Sequence, residues 1–314
     1  MQTRTLGHSS LASSCLAYGC WRIAGYGEIH ECTPERVEHA RQSVLAAYEN
    51  GYTLFDHADI YAQGYGEELF GRVLREVSGM RDRVLIASKC GISRGIDADS
   101  HPYYRYDSSA AHIVESCEGS LNRLGVETID LYMIHRPDFL GDPMEIARAV
   151  TQLRDQGKIR EFGVSNFRCG QVSLLKKNLS FPLVVNQIEI SLMQLAAFQD
   201  GTLEQCQLEG ITPMAWSPLG GGKLAGHDPI SMTVADHGHR GRIRDTADAI
   251  ARAHGVSRSA VMLAWLLRHP SGILPVVGAT QAEHIEQAAA AAQLILPREH
   301  WYQLMEAAHG QRLP

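Results

Sequence analysis

The chain has 314 residues, of which 45% are hydrophobic and 20% charged. That composition supplies a large buried core and excludes a disordered polymer. Its 29 basic and 35 acidic side chains give a net charge of −6, which lacks the basic footprint that nucleic acid requires. No apolar run reaches the roughly 20 residues that span a bilayer, and the polar start Met1–Gly7 lacks the order of a secretory leader. Cysteines stand at positions 15, 20, 32, 90, 117, 169 and 206. Their number is odd and they form no C-x-x-C pair, which argues for a reducing cytoplasm over a disulfide framework or a zinc site.

In chain order, Thr3–Ser14 reads as a small hairpin turning at Gly7-His8-Ser9-Ser10. Short apolar, β-rich runs then alternate with stretches of helical period. The expected strands are Cys15–Gly19, Tyr52–Asp56, Val84–Lys89, Ile129–His135, Glu161–Ser165, Val184–Ile188, Thr212–Trp216 and Ile273–Val277. Among the helices, Pro34–Asn50 opens on Thr-Pro, a cap and a first-turn proline, and stops at Gly51. Ser108–Gly125 is capped by Asp107-Ser108, and Pro143–Gln156 ends at Gly157. Arg242–His254 and Ser257–His269 precede the last strand, and Gln281–Ala292 and Pro297–His309 follow it. Such alternation predicts crossover helices between parallel strands. Eight units predict an α/β fold, a (β/α)8 TIM barrel, as a single domain over residues 1–314. The hairpin is expected to plug the barrel bottom, and Pro297–His309 to be an extra C-terminal helix. Ile92–Asp107 and Ser217–Arg240 read as long βα loops. A doubly wound sheet is disfavoured because the run Cys20–Gly27 carries no G-x-G-x-x-G turn.

Barrel chemistry sits at the C-terminal ends of the strands. Polar or ionisable groups follow the apolar runs at six of those ends. The segments Phe55-Asp56-x-Ala58-x-x-Tyr61, Ser88-Lys89, Asp130-Leu131-x-x-x-His135, Gly163-Val164-Ser165-Asn166-Phe167 and Asn186-Gln187 resemble the aldo-keto reductase family. They match in order and spacing, and the resemblance runs from Arg4 to Gly278. His135-Arg136-Pro137-Asp138 and Pro275-Val276-Val277-Gly278 are most similar to a bacterial YdhF-type subgroup.

The resemblance implies an NAD(P)H-dependent reductase of aldehydes and ketones whose catalytic set is Asp56, Tyr61, Lys89 and His135. Elementary chemistry agrees. Reduction of a carbonyl needs a hydride on carbon and a proton on oxygen. A tyrosine, with a free pKa of about 10, donates more readily beside an ammonium that stabilises its phenolate. Lys89 supplies that charge and is expected to lower the Tyr61 pKa. Asp56 supplies the counter-charge that a buried lysine requires. His135 is expected to orient the carbonyl as a neutral imidazole.

NADPH is likewise implied as the cofactor. Ser165, Asn166 and Gln187 would hold the nicotinamide carboxamide, and Trp216 would stack on the nicotinamide face. Ser217, Leu219, Gly222 and Lys223 would wrap the pyrophosphate, with glycines letting amides approach phosphate and Lys223 adding charge. The spacing is not that of a P-loop. Gly278, Thr280, Gln281 and His284 would take the adenosine end. Here the sequence departs from the family, because His284 stands where an arginine is usual and Ala288 where an asparagine is. That weakens the expectation of a 2′-phosphate and leaves NADH open. Trp21, Tyr26, Tyr103 and Tyr104, with Tyr106, are the expected lining of a substrate pocket.

Singly, these residues have plainer roles. Asp56 suits a turn cap, Lys89 a surface lysine and Trp216 barrel core. Ser165 and Asn166 suit the cap of a helix starting near Arg168. His57 and Asp59 read as scaffold, and the basic runs Arg72–Arg83 and Arg240–Arg244 as solvated faces. Cys90 stands out because it adjoins Lys89, a setting that lowers a thiol pKa. Two other functions compete. One is a non-catalytic nicotinamide-binding redox sensor or regulatory subunit, which does not require all four catalytic residues. The other is a metal-dependent hydrolase on His57, Asp59, Lys89 and His135, for which strands five, six and eight offer Asn166, Gln187 and Gly278 in place of ligands. The expected protein is a cytoplasmic monomer acting on a small-molecule carbonyl substrate, with no nucleic-acid or membrane partner and no metal.

Overall fold

The computed structural model describes residues 1–25, 33–96, 102–226 and 234–312. It opens with a hairpin of β1 (Thr3–Thr5) and β2 (Ala12–Ser14), paired from Thr3 opposite Ser14 to Thr5 opposite Ala12. Strands and helices then alternate: β3 (Ala17–Gly19), α1 (Pro34–Glu49), β4 (Leu54–Asp56), α2 (Tyr65–Glu76) and β5 (Leu85–Cys90). A second hairpin, β6 (Ile92–Ile96) and β7 (Pro102–Tyr106), precedes α3 (Ala110–Leu124), β8 (Ile129–Ile134) and α4 (Pro143–Asp155). Next come β9 (Ile159–Ser165), α5 (Cys169–Lys176), β10 (Leu183–Glu189), α6 (Thr202–Glu209) and β11 (Thr212–Trp216). The chain ends with α7 (Val234–His254), α8 (Arg258–Leu267), β12 (Leu274–Val277), α9 (Ala282–Ala289) and α10 (Arg298–His309). Strands β3, β4, β5, β8, β9, β10, β11 and β12 close in that order into a parallel barrel. These are the eight strands expected from the sequence, displaced at their ends by no more than two residues.

Alternation along each strand sorts side chains into two layers. On β5, Ala87 joins an inner layer with Ala17, Leu54, Leu131, Met133, Val185, Met214 and Leu274, while Ile86 and Cys90 face the helices. Leu6 and Leu11, from the turn of the first hairpin, are fully buried in that inner layer and so plug the barrel bottom. The turn is tight. Gly7 has φ +49°, and a Cβ there would lie 2.5 Å from the Val184 carbonyl oxygen, so no side chain fits. Its N–H donates to Thr212 Oγ1 at 2.8 Å, and Arg4 donates to the carbonyls of Gly272 and Ile273 at 2.9 and 3.1 Å.

The same alternation corrects the expectation for Cys90. Lys89 points into the barrel, so Cys90 points out among buried neighbours, and burial pushes its thiol pKa well above the usual value. It is a core side chain and not an activated nucleophile. Helix ends follow their local signals. Thr33 accepts from the Arg36 N–H at the start of α1 and Asp142 from the Met144 N–H at the start of α4, each with proline at the first helical position. Helix α3 is capped by Ser109, one residue past the expected cap, and ends at Gly125 with φ 69°.

Two expected loops prove partly regular. Ile92–Ile96 and Pro102–Tyr106 pair as the antiparallel strands β6 and β7, with Ile92 opposite Tyr106 and Arg94 opposite Tyr104. The β-branched and aromatic residues of Ile92–Ile96 and Pro102–Tyr106 favour strands once paired. Helix α7 begins at Val234 within the expected second loop. Gly238 and Gly241 lower its local helix propensity, which hides it in the sequence, and packing against α10 compensates. The basic runs are not simply solvated. Arg81 pairs with the buried Asp130 at 3.0 Å, alongside Arg160 at 2.7 Å, and Arg240 is buried. Among the described residues no helix is long and apolar enough to cross a membrane.

Leu11→Ala is expected to lower stability by about 2–4 kcal/mol. The check is the urea midpoint, measured beside an unchanged far-UV circular dichroism spectrum. An unchanged midpoint would show that the hairpin is not part of the core.

Candidate active site

Asp56 ends β4 and Lys89 lies at the end of β5, so both reach the C-terminal mouth of the barrel. The Lys89 side chain is fully buried. Its ammonium donates to Asp56 Oδ2 at 2.8 Å, to the His57 carbonyl at 2.8 Å and to the Tyr61 hydroxyl at 3.1 Å. An ammonium has three donors, and all three are used. Burial lowers the Lys89 pKa, but Asp56 and Tyr61 outweigh it and the net shift is upward, so the charge is retained. The other Asp56 oxygen accepts from Gln187 Nε2 at 3.0 Å.

A sharp turn returns Tyr61 over this pair. The Tyr61 N–H donates to the Ala58 carbonyl at 3.1 Å, and Ala62 and Gln63 follow in left-handed conformation, with φ 47° and 56°. Such residues cost on the order of 1–3 kcal/mol each and persist only where the surroundings demand them. The Tyr61 pKa is raised, because burial outweighs the lowering pull of Lys89 and Asp56 adds to the rise. This corrects the expectation that Lys89 leaves it lowered: the phenol keeps its proton at neutral pH. His135 follows β8. Its ring stands edge-on to Tyr61 at 5.8 Å and 79°, and burial, Lys89 and Arg136 hold its pKa well below the usual value. These influences favour the neutral imidazole. Its Nδ1 is buried without a hydrogen-bond partner.

Ser165, Asn166, Gln187 and Trp216 meet beside His135. Asn166 Nδ2 donates to the His135 carbonyl at 3.1 Å and to Ser165 Oγ at 2.8 Å, and Asn166 Oδ1 accepts from the Trp216 indole at 3.0 Å. Ser165 Oγ donates to the Gln187 carbonyl at 2.8 Å. Asn166 adopts φ 62° to do this. The pair therefore does not cap α5, whose Arg168 N–H donates to Gln171 Oε1 at 3.0 Å.

Residues 217–224 form a compact knot. The amides of Gly220, Gly222, Lys223 and Leu224 donate to the carbonyls of Ser217, Leu219, Gly220 and Leu219 at 2.8, 3.1, 3.3 and 3.2 Å. These amides close turns, contrary to the expectation that they face phosphate. Arg22 donates to the Gly221 carbonyl at 2.8 Å, Arg244 to that of Lys223 and Arg258 to that of Leu224 at 3.3 Å. A Cβ at Gly221 or Gly278 would meet nothing within 4 Å, so both border open space. Beyond β12, the Thr280 carbonyl accepts from Ser43 Oγ at 2.6 Å, Gln281 is exposed, His284 is half-buried on α9 and Ala288 faces the core.

The expected substrate lining is only partly placed. Trp21 is 53% exposed beside Arg22, and Tyr104 is 63% exposed beside Arg94. Tyr106 packs at 6.4 Å on Phe139 of the loop after β8. Tyr26 lies outside the described residues. Tyr103 lies in β7, and its side chain also lies outside them. His57 and Asp59 are scaffold in their contacts. The His57 ring packs on Phe70 at 4.6 Å, and burial together with Lys89 lowers its pKa to about 3. The Asp59 N–H donates to the Lys89 carbonyl at 3.0 Å.

Sequence reasoning missed three contributors. The His57 carbonyl completes the Lys89 shell, and backbone oxygens leave no sequence signal. Buried Glu67 accepts from Ser88 Oγ at 2.5 Å and from Arg123 Nε at 2.7 Å, bracing β5 from behind. Arg136 sits with its guanidinium 5.5 Å from the Trp216 ring. A charge directly after His135 was the available signal.

A parallel barrel whose mouth holds a lysine-backed tyrosine defines a barrel oxidoreductase. The model of the Aldo/keto reductase family matches residues 15–309, and the chain belongs to that family. It is 40% identical over 317 residues to the 6-dehydroglucose reductase of Novosphingobium aromaticivorans, covering 99% of this chain and 97% of the relative. It is 38% identical over 279 residues to the oxidoreductase YdhF of Escherichia coli, covering 88% and 90%. It is also similar to the crystal structure of an aldo/keto reductase from Klebsiella pneumoniae in complex with NADP and acetate. There the TM-score is 0.76 at 27% identity, covering 96% of this chain and 93% of the other.

Asp59 generates a stability prediction. Burial and the neighbouring Glu67 raise its pKa to about 7, against the lowering pull of Ser116 and Arg123. In the unfolded chain it titrates near 4. The folded state therefore holds an extra proton between about pH 4 and 7, and stability falls as pH rises through that window. Asp59→Asn is expected to remove on the order of 2–4 kcal/mol of this slope. Urea titrations of both proteins at acid and alkaline pH measure it, and parallel pH dependences would sink the assignment.

Proposed function

We propose that the chain reduces aldehyde or ketone carbonyls to alcohols with NADPH, with Tyr61 as proton donor. The observation that carries this reading is the saturated Lys89 ammonium, bonded at once to Asp56, the His57 carbonyl and the Tyr61 hydroxyl. The half-buried indole of Trp216, the Lys223 ammonium and the open space at Gly221 and Gly278 fit a dinucleotide along the mouth. The NADP complex of the similar Klebsiella enzyme supports the same cofactor. His284 offers less to a 2′-phosphate than an arginine does, so NADH is the competing cofactor.

Bound there, NADPH supplies a hydride to the carbonyl carbon. Tyr61 gives its proton to the carbonyl oxygen as the C–O double bond becomes single. Lys89 stabilises the phenolate left behind, and Asp56 and the His57 carbonyl fix the ammonium under Tyr61 so that little reorganisation is needed. Neutral His135 donates an imidazole N–H to the same oxygen and aligns it. The similar reductase named for 6-dehydroglucose favours a hydroxylated carbonyl compound within this substrate class.

With NADPH and 4-nitrobenzaldehyde, Tyr61→Phe is expected to lose at least about a hundredfold in kcat while still binding cofactor. If wild type and variant both bind NADPH and neither turns over, the non-catalytic sensor reading replaces this one. The pH dependence follows from the shifts. Tyr61 titrates above its ordinary range and His135 well below its own. Reduction should therefore hold through roughly pH 9 and decline only above the ordinary tyrosine range, about pH 10, as Tyr61 loses its proton. A limb near pH 6.5, the ordinary range of histidine, that disappears in His135→Gln would contradict the neutral imidazole.

A further inference from the structure

Arg136 is the cation at the mouth that the proposed chemistry leaves unused. It follows His135 after β8, yet its guanidinium lies 5.5 Å from the ring of Trp216, at the end of β11. In the barrel order β9 and β10 stand between those two strands. The indole reaches back to Asn166, just after β9, at 3.0 Å, so Arg136 and Trp216 meet above the intervening strand ends. No carboxylate among the described residues pairs with it, and its contact is with the indole face. It is half-buried, and its charge helps hold the neighbouring His135 imidazole neutral. Lys89 is already balanced by Asp56. Arg136 therefore supplies an uncompensated charge with several N–H donors, beside the group that aligns the carbonyl.

Resting on the carbonyl-reductase reading, we infer that Arg136 is a specificity-determining residue that binds an oxygen substituent of the substrate, hydroxyl or carboxylate, near the reacting carbonyl. A guanidinium presents two parallel donors to such a group, and stacking on Trp216 holds it in place before substrate arrives. Butanal, glyceraldehyde and succinic semialdehyde separate the cases: no further oxygen, hydroxyls and a carboxylate. Arg136→Ala is expected to raise KM for the oxygen-bearing substrates about ten- to a hundredfold more than it raises KM for butanal. Arg136→Lys should recover the carboxylate substrate more than the hydroxyl one, because it keeps charge and loses the fork. A rise for glyceraldehyde alone assigns hydroxyls, and a rise for succinic semialdehyde alone assigns a carboxylate. Equal losses on all three, or none, overturn the inference, since Arg136 would then only brace Trp216 or do nothing. If wild type reduces none of the three, the carbonyl-reductase reading fails by itself. Calorimetric titration with 4-hydroxybutyrate and with glycerol then decides: binding lost in Arg136→Ala supports the site, and equal binding or none overturns it.

Discussion

The architecture of the mouth depends on one buried ion pair. An unpaired ammonium in the barrel interior would be driven to give up its proton. Asp56 prevents that for Lys89 at 2.8 Å, and Gln187 holds the second Asp56 oxygen at 3.0 Å. Every other catalytic placement follows. The turn 57–63 must bring a backbone carbonyl and a phenol to the same nitrogen, and it accepts left-handed Ala62 and Gln63 to do so. Two competing influences then act on Tyr61, and burial wins over the ammonium. The result is a tyrosine that keeps its proton while an ammonium stands beside it.

Much of this was legible in the residues. The eight strands are short runs whose apolar pattern ends at polar groups, and parallel barrels place such groups at one face. Asp56, Lys89 and His135 stand at or just past their strand ends and Tyr61 five residues beyond Asp56, and the resemblance to the aldo-keto reductase motifs is what groups the four. What stayed hidden has physical causes. Alternation decides whether a residue beside Lys89 faces the mouth or the helices, and Cys90 faces the helices. The amides of Gly220, Gly222, Lys223 and Leu224 look available in a glycine-rich run, yet bonds to carbonyls three or five residues back use them. Helix α7 contains Gly238 and Gly241 and is stable through packing that no local window contains. The role of the His57 carbonyl is independent of the side chain that names the residue.

Asn166 connects the two halves of the site. Its carboxamide bonds the His135 carbonyl on one side and the Trp216 indole on the other. The segment that carries His135 and the indole beside Arg136 therefore share one anchor. A change at Asn166 would move both together, so losses in rate and in substrate discrimination at that position should not be treated as independent.

The plug at the barrel bottom has a consequence for how the chain reaches this state. Gly7 bonds Thr212, and Arg4 bonds the backbone at Gly272 and Ile273, so the hairpin meets partners that lie 205 to 269 residues further along the chain. During synthesis the hairpin of Leu6 and Leu11 has nothing to fill. A segment made before the barrel strands is thus buried only after the strands that bond it exist. Docking of the hairpin requires closures across such sequence distances, which are slow compared with helix formation. Until that step is complete, the apolar floor beneath the catalytic mouth is exposed to water and to other chains.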